Sequence, residues 1–400
     1  MTDLFWPGDH RAGALMSDAG LLDALVVVEN AWLAVLIEAD VAPDTARLDL
    51  TALVGAADAD AIAVGAERDG NPVTSVVALL RQRATGDAAR WLHRGLTSQD
   101  VLDTALSLCL RDALGALGAN LTAQVNTLIG MVESHRDTTM LARTLTQPAL
   151  PSTAGLKFAG WLSAILDAVD TLAALPALPV QAGGAAGTLA AATELSGSPQ
   201  AATRLSEALA EALGLRPAAP WHTGRSVLTR YGDALVTCCD AWGHLANDIA
   251  NGNRAEIGEF SEGNGGGSST MPHKSNPVLS ILLRRAALTA APLGATLHTA
   301  SAASVDERTD GGWHAEWATL RTLTRRTVVA ASQATDLLAG LHLHTERAAA
   351  NLIAAEGLLA EQHTMSELTS RPAAATYLGA TDHLVDAVLQ RARHYLKESL

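Results

Sequence analysis

A heptad pattern runs through residues 228–249 and limits what this chain can fold into. Apolar side chains recur at alternating spacings of three and four residues, at Leu228, Tyr231, Leu235, Cys238, Trp242, Leu245 and Ile249. The pattern should end near Asn251-Gly252-Asn253, because these residue types tolerate the left-handed conformation that ends a helix. A seam carried over six turns needs helical partners. The segment therefore predicts a long helix inside a bundle.

Four further long stretches favour helix, so we expect an all-α fold. Aromatic residues make up only 4% of the 400 residues, and valine and isoleucine do not alternate as they do in strands. The four helices are predicted at residues 99–133, 152–175, 277–302 and 317–341. Residues 1–90 are predicted to form shorter helices, broken by Pro43, Gly70-Asn71-Pro72 and Gly86. A short helical segment is expected after residue 342.

The composition excludes several classes of partner. A net charge of −14 disfavours nucleic acid and anionic membranes, which both need a basic face. The N-terminus carries acidic residues before any apolar run, and no stretch is expected to span a membrane. Three cysteines are too few for a disulfide framework, which indicates a cytoplasmic protein.

One group of polar residues precedes the first long helix. Thr97-Ser98-Gln99-Asp100 forms a capping box, which satisfies backbone amides and complements the helix dipole. The functional alternative is that His93, Arg94, Thr97 and Ser98 bind a substrate carboxylate at this helix N-terminus. Both interpretations can hold together.

Two other polar segments, at residues 143–155 and 306–317, do not indicate a function by themselves. Residues 143–148, RTLTQP, followed by PSTAG at 151–155, are by themselves a turn with a good helix cap. In the segment DERTDGGWHAEW at residues 306–317, an isolated Arg308 would most often form a solvated salt bridge. Spacing alone does not connect these segments with each other.

The most informative stretch is GGGSSTMPHKSNP, at residues 265–277. A glycine run followed by paired serines, Lys274 and Asn276 can close over a carboxylate and supply amide and ammonium donors. The 267–277 part, GSSTMPHKSNP, closely resembles the signature of the fumarase, aspartase and argininosuccinate lyase superfamily. The segments HRGLTSQDVLD at 93–103 and 143–155 resemble the superfamily's other two conserved regions, in the same order.

Within this superfamily, three segments look most like the 3-carboxy-cis,cis-muconate cycloisomerases. They are WPGDHRAG at residues 6–13, PWHTGR at 220–225 and DERTDGGWHAEW at 306–317. The resemblance implies an all-α, three-domain subunit with a central five-helix bundle. The domains would be residues 1–90, 91–341 with a signature loop at 263–277, and a short C-terminal domain at 342–400. It also implies a homotetramer whose active sites are each shared by three subunits.

The resemblance also implies the chemistry. Ser269, the second serine of the signature, would move a proton at a carbon beside a carboxylate, with Ser268 as an adjacent candidate. Lys274 would stabilise the serine alkoxide, and neither a cofactor nor a metal is expected. The substrate would be a small di- or tricarboxylate. Its expected binding residues are His93, Arg94, Thr97, Ser98, Thr146, Gln147, Arg225, Met271, Asn276 and Arg308.

One residue departs from the lyase pattern. Where lyases of the superfamily usually carry a histidine that protonates the leaving group, this chain has Leu145. The cycloisomerase branch departs there too, so we expect a lactone-forming cycloisomerase whose Leu145 packs in the vacated space. The alternatives are a β-eliminating lyase with a weakly basic leaving group, such as nitrosuccinate, and a non-catalytic helical scaffold. His222 and His314 would be the replacement acids if a strongly basic group departs.

Overall fold

The fold is given by a computed structural model, which describes residues 3–263, 266–267, 270–271 and 274–398. These residues form a mostly helical protein with two small pairs of strands. The helices in the first half are α1 (Asp18–Glu38), α2 (Ala59–Asp69), α3 (Val73–Arg83), α4 (Ala88–Trp91), α5 (Ser98–Ser134), α6 (Ala154–Ala173) and α7 (Ala190–Ser196). Those in the second half are α8 (Pro199–Leu213), α9 (Ser226–Gly252), α10 (Val278–Ala302), α11 (Gly311–Gly340), α12 (Thr345–Ala354), α13 (Ala360–Thr369) and α14 (Thr381–Glu398). Short 3-10 helices lie at Asp9–Ala12, Asp44–Ala46 and Ala56–Asp58.

The five predicted long helices are confirmed as α5, α6, α9, α10 and α11. Four of them begin and end within two residues of the predicted positions. Helix α11 begins at Gly311, six residues earlier than expected. Gly311 and Gly312 therefore belong to its first turn and not to the preceding loop. Glycine is tolerated there, where the backbone amides have no partner within the helix.

The heptad seam of α9 is buried throughout, as predicted. Each of its seven apolar residues is at most 3% exposed, from Leu228 to Ile249. The indole Nε1 of Trp242 donates a 2.8 Å hydrogen bond to Gln124 on α5. The side-chain amide of Gln124 in turn donates to the carbonyl of Ala331 on α11 at 3.0 Å. The buried indole of the seam is therefore satisfied by a neighbouring helix, and the Tyr231 hydroxyl donates to the carbonyl of Pro176 in the loop after α6.

The expectation of an all-α chain misses a hairpin. Strands β1 (Thr139–Thr144) and β2 (Gln147–Thr153) pair antiparallel, with an irregularity between Ala142 and Arg143. Two prolines in β2 and the absence of alternating apolar residues hid these strands from the sequence pattern. The predicted helix cap is present, since Thr153 Oγ1 accepts from the Leu156 amide at 3.1 Å. A second pair, β3 (Phe260–Ser261) and β4 (His342–Leu343), is only two residues long.

The backbone contacts divide the chain into two compact units. The first unit comprises Met1–Ala116, Leu175–Asp233 and Pro292–Val328, and the second comprises Leu117–Ala174, Ala234–Ala291 and Val329–Leu400. The predicted three-domain division at residues 90 and 341 stays a prediction. Each unit carries part of the expected site, and the two are described separately below.

Two of the helices in the described part of the chain are apolar enough to cross a membrane by length and composition alone. In α1, 61% of the most apolar stretch is buried inside the protein, as expected of a core helix. In α10 the corresponding share is 28%. Its exposed apolar side chains include Val278, Ile281 and Leu288, which are 38%, 49% and 78% exposed.

Candidate active site

In the first unit, the N-terminus of α5 carries the strongest candidate for carboxylate binding. Thr97 and Ser98 lie there, both half-buried, beside the amides that begin the helix. Arg308 Nη1 donates to Thr97 Oγ1 at 3.1 Å, although 211 residues separate them in sequence. Among the described residues, Arg308 has no carboxylate partner within ion-pair distance. Two hydroxyls, an uncompensated guanidinium and a helix N-terminus together favour a carboxylate ligand.

Asp100 holds this turn in place through hydrogen bonds. It is completely buried, and its carboxylate accepts from the amides of Thr97, Gly183 and Gly184, each at 2.9 Å. His222 Nε2 lies 2.9 Å from the same carboxylate. Half of the predicted capping box is thus observed: Asp100 accepts from the Thr97 amide, whereas the Asp100 amide donates to the carbonyl of Thr97 at 3.0 Å and the Thr97 hydroxyl accepts from Arg308. Asp100 also joins a glycine loop and a histidine to the turn, which spacing along the sequence could not reveal.

Arg225, which the sequence analysis names as a carboxylate-binding residue, is paired with acidic residues of the protein itself. It is 2% exposed and forms a bidentate ion pair with Asp103, in which Nη1 and Nη2 donate to the two carboxylate oxygens at 2.6 Å and 3.0 Å. Its Nε and Nη2 also donate to Glu316 on α11, and Trp313 Nε1 donates to Asp103 at 3.0 Å. Burial alone would lower the pKa of Arg225, but attraction to Asp103 and the bonds to Glu316 raise it above its ordinary value. With its donors engaged by buried carboxylates, Arg225 joins α5 to α11 and is not free for a substrate.

The two residues that precede this turn also have partners within the protein. His93 Nδ1 lies 2.5 Å from the buried carboxylate of Glu29 on α1. Arg94 is exposed, and its Nε donates to the carbonyl of Arg90 at 2.7 Å. His93 is therefore fixed in position, whereas Arg94 turns its guanidinium partly back onto its own segment.

In the second unit, Leu145 and Thr146 form the tip of the hairpin. Both have positive φ, 48° and 72°, as a tight two-residue turn between strands requires. Leucine and threonine are poor choices for this conformation, which costs about 1–3 kcal/mol for each residue. Leu145 is 96% exposed, so the expectation that it packs in a vacated space is wrong within its own chain. The tip is thus exposed, apolar and strained, and strain of this kind clusters at functional sites.

Ionic contacts anchor the hairpin near its tip, where Arg143 lies opposite Pro148. Arg143 makes two bonds to the carboxylate of Glu259, at 2.9 Å and 2.8 Å, and Asn351 donates to the same carboxylate at 2.8 Å. Glu259 is only 1% exposed. Thr146 and Gln147, the predicted binding residues, are both exposed beyond this anchor.

The signature loop is closed at its base. Gly266 and Asn276 exchange backbone hydrogen bonds of 2.9 Å and 2.8 Å. A side chain at Gly266 would collide with Val278, because an added Cβ would lie 2.2 Å from that residue's Cγ2. The buried carboxylate of Glu262 accepts from the amides of Leu279 and Ser280, which anchors the first turn of α10.

Within the loop, Met271 and Lys274 are exposed and Asn276 is half-buried. The loop ends are thus fixed, and Lys274 is an exposed residue between them. Ser268 and Ser269, the proton-transfer candidates, lie outside the described residues.

A comparison with known proteins establishes the family. The model of the Lyase family matches residues 24–290, which is more than half of the chain. The chain belongs to the fumarase/aspartase superfamily.

Individual members of the superfamily resemble the chain over most of its length. A nitrosuccinate lyase from Streptomyces davaonensis is 39% identical over 387 residues, covering 89% of this chain and 81% of that protein. A 3-carboxy-cis,cis-muconate cycloisomerase from Pseudomonas aeruginosa is 38% identical over 398 residues, covering 96% and 84%. The crystal structure of the 3-carboxy-cis,cis-muconate lactonizing enzyme from Pseudomonas putida shares the fold with a TM-score of 0.81. It is 32% identical, and 96% of this chain and 86% of that chain are covered.

The structure of this superfamily member separates its predicted site residues into groups. It brings Thr97, Ser98 and Arg308 together in the first unit. Thr146 and Gln147 lie at the turn of the hairpin and at the start of β2 in the second unit. It also reveals buried acids that the sequence did not single out as site components, namely Glu29, Asp100, Asp103, Glu259, Glu262 and Glu316. A sequence signal for some of them exists, because an acid flanked by apolar residues in a helix must find a partner when it is buried.

Proposed function

We propose that the protein is a cycloisomerase that closes a lactone on 3-carboxy-cis,cis-muconate. The observation that carries this proposal is Leu145 at the exposed hairpin tip, where a lyase with a strongly basic leaving group needs a proton donor. A leucine cannot move a proton. A carboxylate that leaves a lactone, or adds to form one, needs no such donor because it is a weak base.

In the forward reaction, a carboxylate oxygen of the triacid forms a C–O bond while the π bond of a carbon–carbon double bond breaks, and its electron pair moves to the carbon beside a second carboxylate. The carbon beside a second carboxylate then takes a proton, which we assign to the hydroxyl of Ser269 or Ser268. In the reverse direction the same serine removes this proton, and the carboxylate becomes a dianionic aci-carboxylate. Arg308, Thr97 and Ser98 would bind one carboxylate, and Lys274 and Asn276 would stabilise the growing negative charge.

Elimination from nitrosuccinate is the second candidate, and the 39% identity to a nitrosuccinate lyase supports it. Nitrite is also a weak base, so Leu145 is compatible with its departure. Two assays separate the candidates. Loss of the ultraviolet absorbance of 3-carboxymuconate reports lactonisation, and colorimetric nitrite together with fumarate reports elimination. Nitrite from nitrosuccinate, without consumption of 3-carboxymuconate, would overturn the first proposal in favour of the second. A non-catalytic scaffold would give neither signal.

The serine assignment gives a direct prediction. Ser269→Ala should reduce kcat by about a hundredfold or more, because proton transfer by a positioned group contributes at least that factor. Ser268→Ala is the matched control and should retain most of the activity. A reversal of the two results would assign the proton transfer to Ser268. Thermal unfolding of both variants would confirm that each remains folded.

The exposed apolar surface gives a prediction about assembly. Leu145 and the exposed side chains of α10 would be unfavourable in a monomer, and a homotetramer with active sites shared by three subunits would cover them. Light scattering after size exclusion should therefore give four times the chain mass of 41.4 kDa. A stable, fully active monomer would contradict this assembly. We place such an enzyme in the cytoplasm, in the degradation of aromatic compounds.

A further inference from the structure

Glu262 is a buried acid at the start of the signature loop that the proposed reaction does not use. It immediately precedes Gly263 and is 7% exposed. A buried carboxylate is strongly unfavourable unless hydrogen bonds or a counter-charge compensate for its lost hydration. The groups that bind Glu262 therefore show what this residue does.

The partners of Glu262 lie on the other side of the loop, in the first turn of α10. Its Oε2 accepts from the Leu279 amide at 2.9 Å. Its Oε1 accepts from the Ser280 amide at 2.8 Å and from the Ser280 hydroxyl at 2.6 Å. Helix α10 begins at Val278, so these two amides have no acceptor within the helix. A side chain that precedes the loop thus caps the helix that follows it.

The start of the loop is fixed by close backbone contacts. Strand β3 ends at Ser261, next to Glu262, and pairs with β4. Gly263 packs directly against Gly340 at the end of α11, where an added Cβ would lie 2.7 Å from the Gly340 carbonyl oxygen. Glu262 therefore reaches α10 from a backbone that is itself held at the end of α11.

The end of the loop leads directly into the capped turn. Asn276 exchanges two backbone hydrogen bonds with Gly266, at 2.9 Å and 2.8 Å, and Pro277 alone separates it from α10. Proline fixes its own φ and restricts the residue before it to extended conformations. Asn276 consequently has little freedom relative to the helix, and its position follows that of the turn that Glu262 caps.

Glu262 also changes what the N-terminus of α10 can bind. Free amides and the helix dipole make such a terminus attractive to anions. The carboxylate of Glu262 occupies the amides of Leu279 and Ser280, so these are not free for a substrate carboxylate. Glu262 itself would repel such a group. Any part that Glu262 has in the reaction is therefore indirect.

We propose that Glu262 is a positioning residue, which joins the two ends of the signature loop and thereby holds Asn276 where it stabilises the negative charge of the transition state. This inference rests on the proposed function, in which Lys274 and Asn276 act on that charge. A donor that acts on charge formed during the reaction affects kcat more than substrate binding. Displacement of Asn276 should therefore lower kcat and leave KM nearly unchanged.

The first test needs no substrate. In Glu262→Gln one of the two oxygens becomes an amide nitrogen, which faces a backbone donor and cannot accept from it. Hydrogen exchange of the peptide that covers residues 276–283, measured by mass spectrometry, should therefore be about tenfold faster than in the wild type. Glu256→Gln, the same change at an exposed residue of the same segment, is the control and should leave this exchange unchanged. Equal exchange in Glu262→Gln and the wild type would show that the acid does not hold the loop ends, and the proposal would be wrong.

A milder variant keeps this test decisive if Glu262→Gln fails to fold. Ser280→Ala removes the hydroxyl that donates to Glu262 and leaves both amide bonds in place. Exchange of the same peptide should then rise about threefold. Exchange equal to that of the wild type would contradict the proposal.

The second test uses kinetics on whichever substrate the wild-type enzyme converts. Glu262→Gln should lower kcat about tenfold and change KM less than twofold, whereas Glu256→Gln should keep both values. The decisive variant combines Glu262→Gln with Asn276→Ala. Adding Glu262→Gln to Asn276→Ala should lower kcat less than about twofold further, because the group that Glu262 positions is already absent. Fully multiplicative losses in the double variant, or a rise in KM alone, would overturn the positioning role.

The two tests also separate this proposal from the proposed function. A wild type that converts neither 3-carboxymuconate nor nitrosuccinate would contradict the proposed function. Hydrogen exchange would still decide whether Glu262 holds the two ends of the loop. Thermal unfolding of each variant distinguishes a displaced loop from a loss of the whole fold.

Discussion

Replacing Arg225 with methionine is expected to lower the free energy of unfolding by about 3–5 kcal/mol. The guanidinium is the cation between two fully buried acids, Asp103 and Glu316, and its loss leaves both carboxylates without a counter-charge. Urea unfolding should show a lower midpoint with an unchanged slope, since the surface exposed on unfolding stays the same. Activity should be lost in proportion to the unfolded fraction.

Two further variants separate a structural role of Arg225 from substrate binding. Arg308→Met, at the half-buried arginine that has no acidic partner among the described residues, should cost no more than about 1 kcal/mol and should raise KM. The triple variant Asp103→Leu, Arg225→Met and Glu316→Leu removes all three charges and should regain much of the stability. If Arg225→Met remained as stable as the wild type but bound substrate poorly, the original expectation of a substrate contact would be restored.

The long helices were predictable because their information is local. Heptad spacing at residues 228–249 requires one face of α9 to be buried, and an acid three residues after Thr97 satisfies the first turn of α5 wherever the rest of the chain lies. The signature loop was recognisable for a related reason, since its residue types at short fixed spacing define a chemical site. Membership of the superfamily followed from these local patterns.

The hairpin and the buried acids were not predictable in the same way. The strands 139–144 and 147–153 are stabilised by pairing and by the bond of Arg143 to Glu259, 116 residues away, which no window of sequence contains. Likewise, Glu29 and His93 reveal their relation only when α1 packs against the segment before α5. The role of Arg225 likewise depends on distant residues. From the sequence it is a candidate for substrate binding, but in the fold it is paired with Asp103 and Glu316. Contacts between distant residues decide whether a charged side chain meets a substrate or another part of the protein.

The chemical nature of the leaving group is expected to divide the substrates of this enzyme into two classes. An amine leaves as a strong base, with an acid pKa near 10, and must be protonated as it departs. A carboxylate, with an acid pKa near 4, leaves unaided. A positioned general acid contributes about 10²–10⁴ in rate. Substrates with strongly basic leaving groups should therefore react at least about a hundredfold more slowly.

We accordingly expect negligible turnover of aspartate, malate, argininosuccinate and adenylosuccinate, and measurable turnover of 3-carboxymuconate or nitrosuccinate. The variant Leu145→His restores a proton donor at the hairpin tip, and Leu145→Gln is its uncharged polar control. Gain of aspartate or argininosuccinate cleavage in Leu145→His, but not in Leu145→Gln, would show that the tip position selects the leaving group.

Robust cleavage of these substrates by the wild type would instead require another general acid. His314 is poorly suited, because its ring nitrogens face the carbonyls of Asp310 and Gly70 at 2.9 Å and 2.7 Å. His222, whose Nε2 pairs with Asp100, would then be the residue to replace, and the cycloisomerase proposal would lose its mechanistic basis.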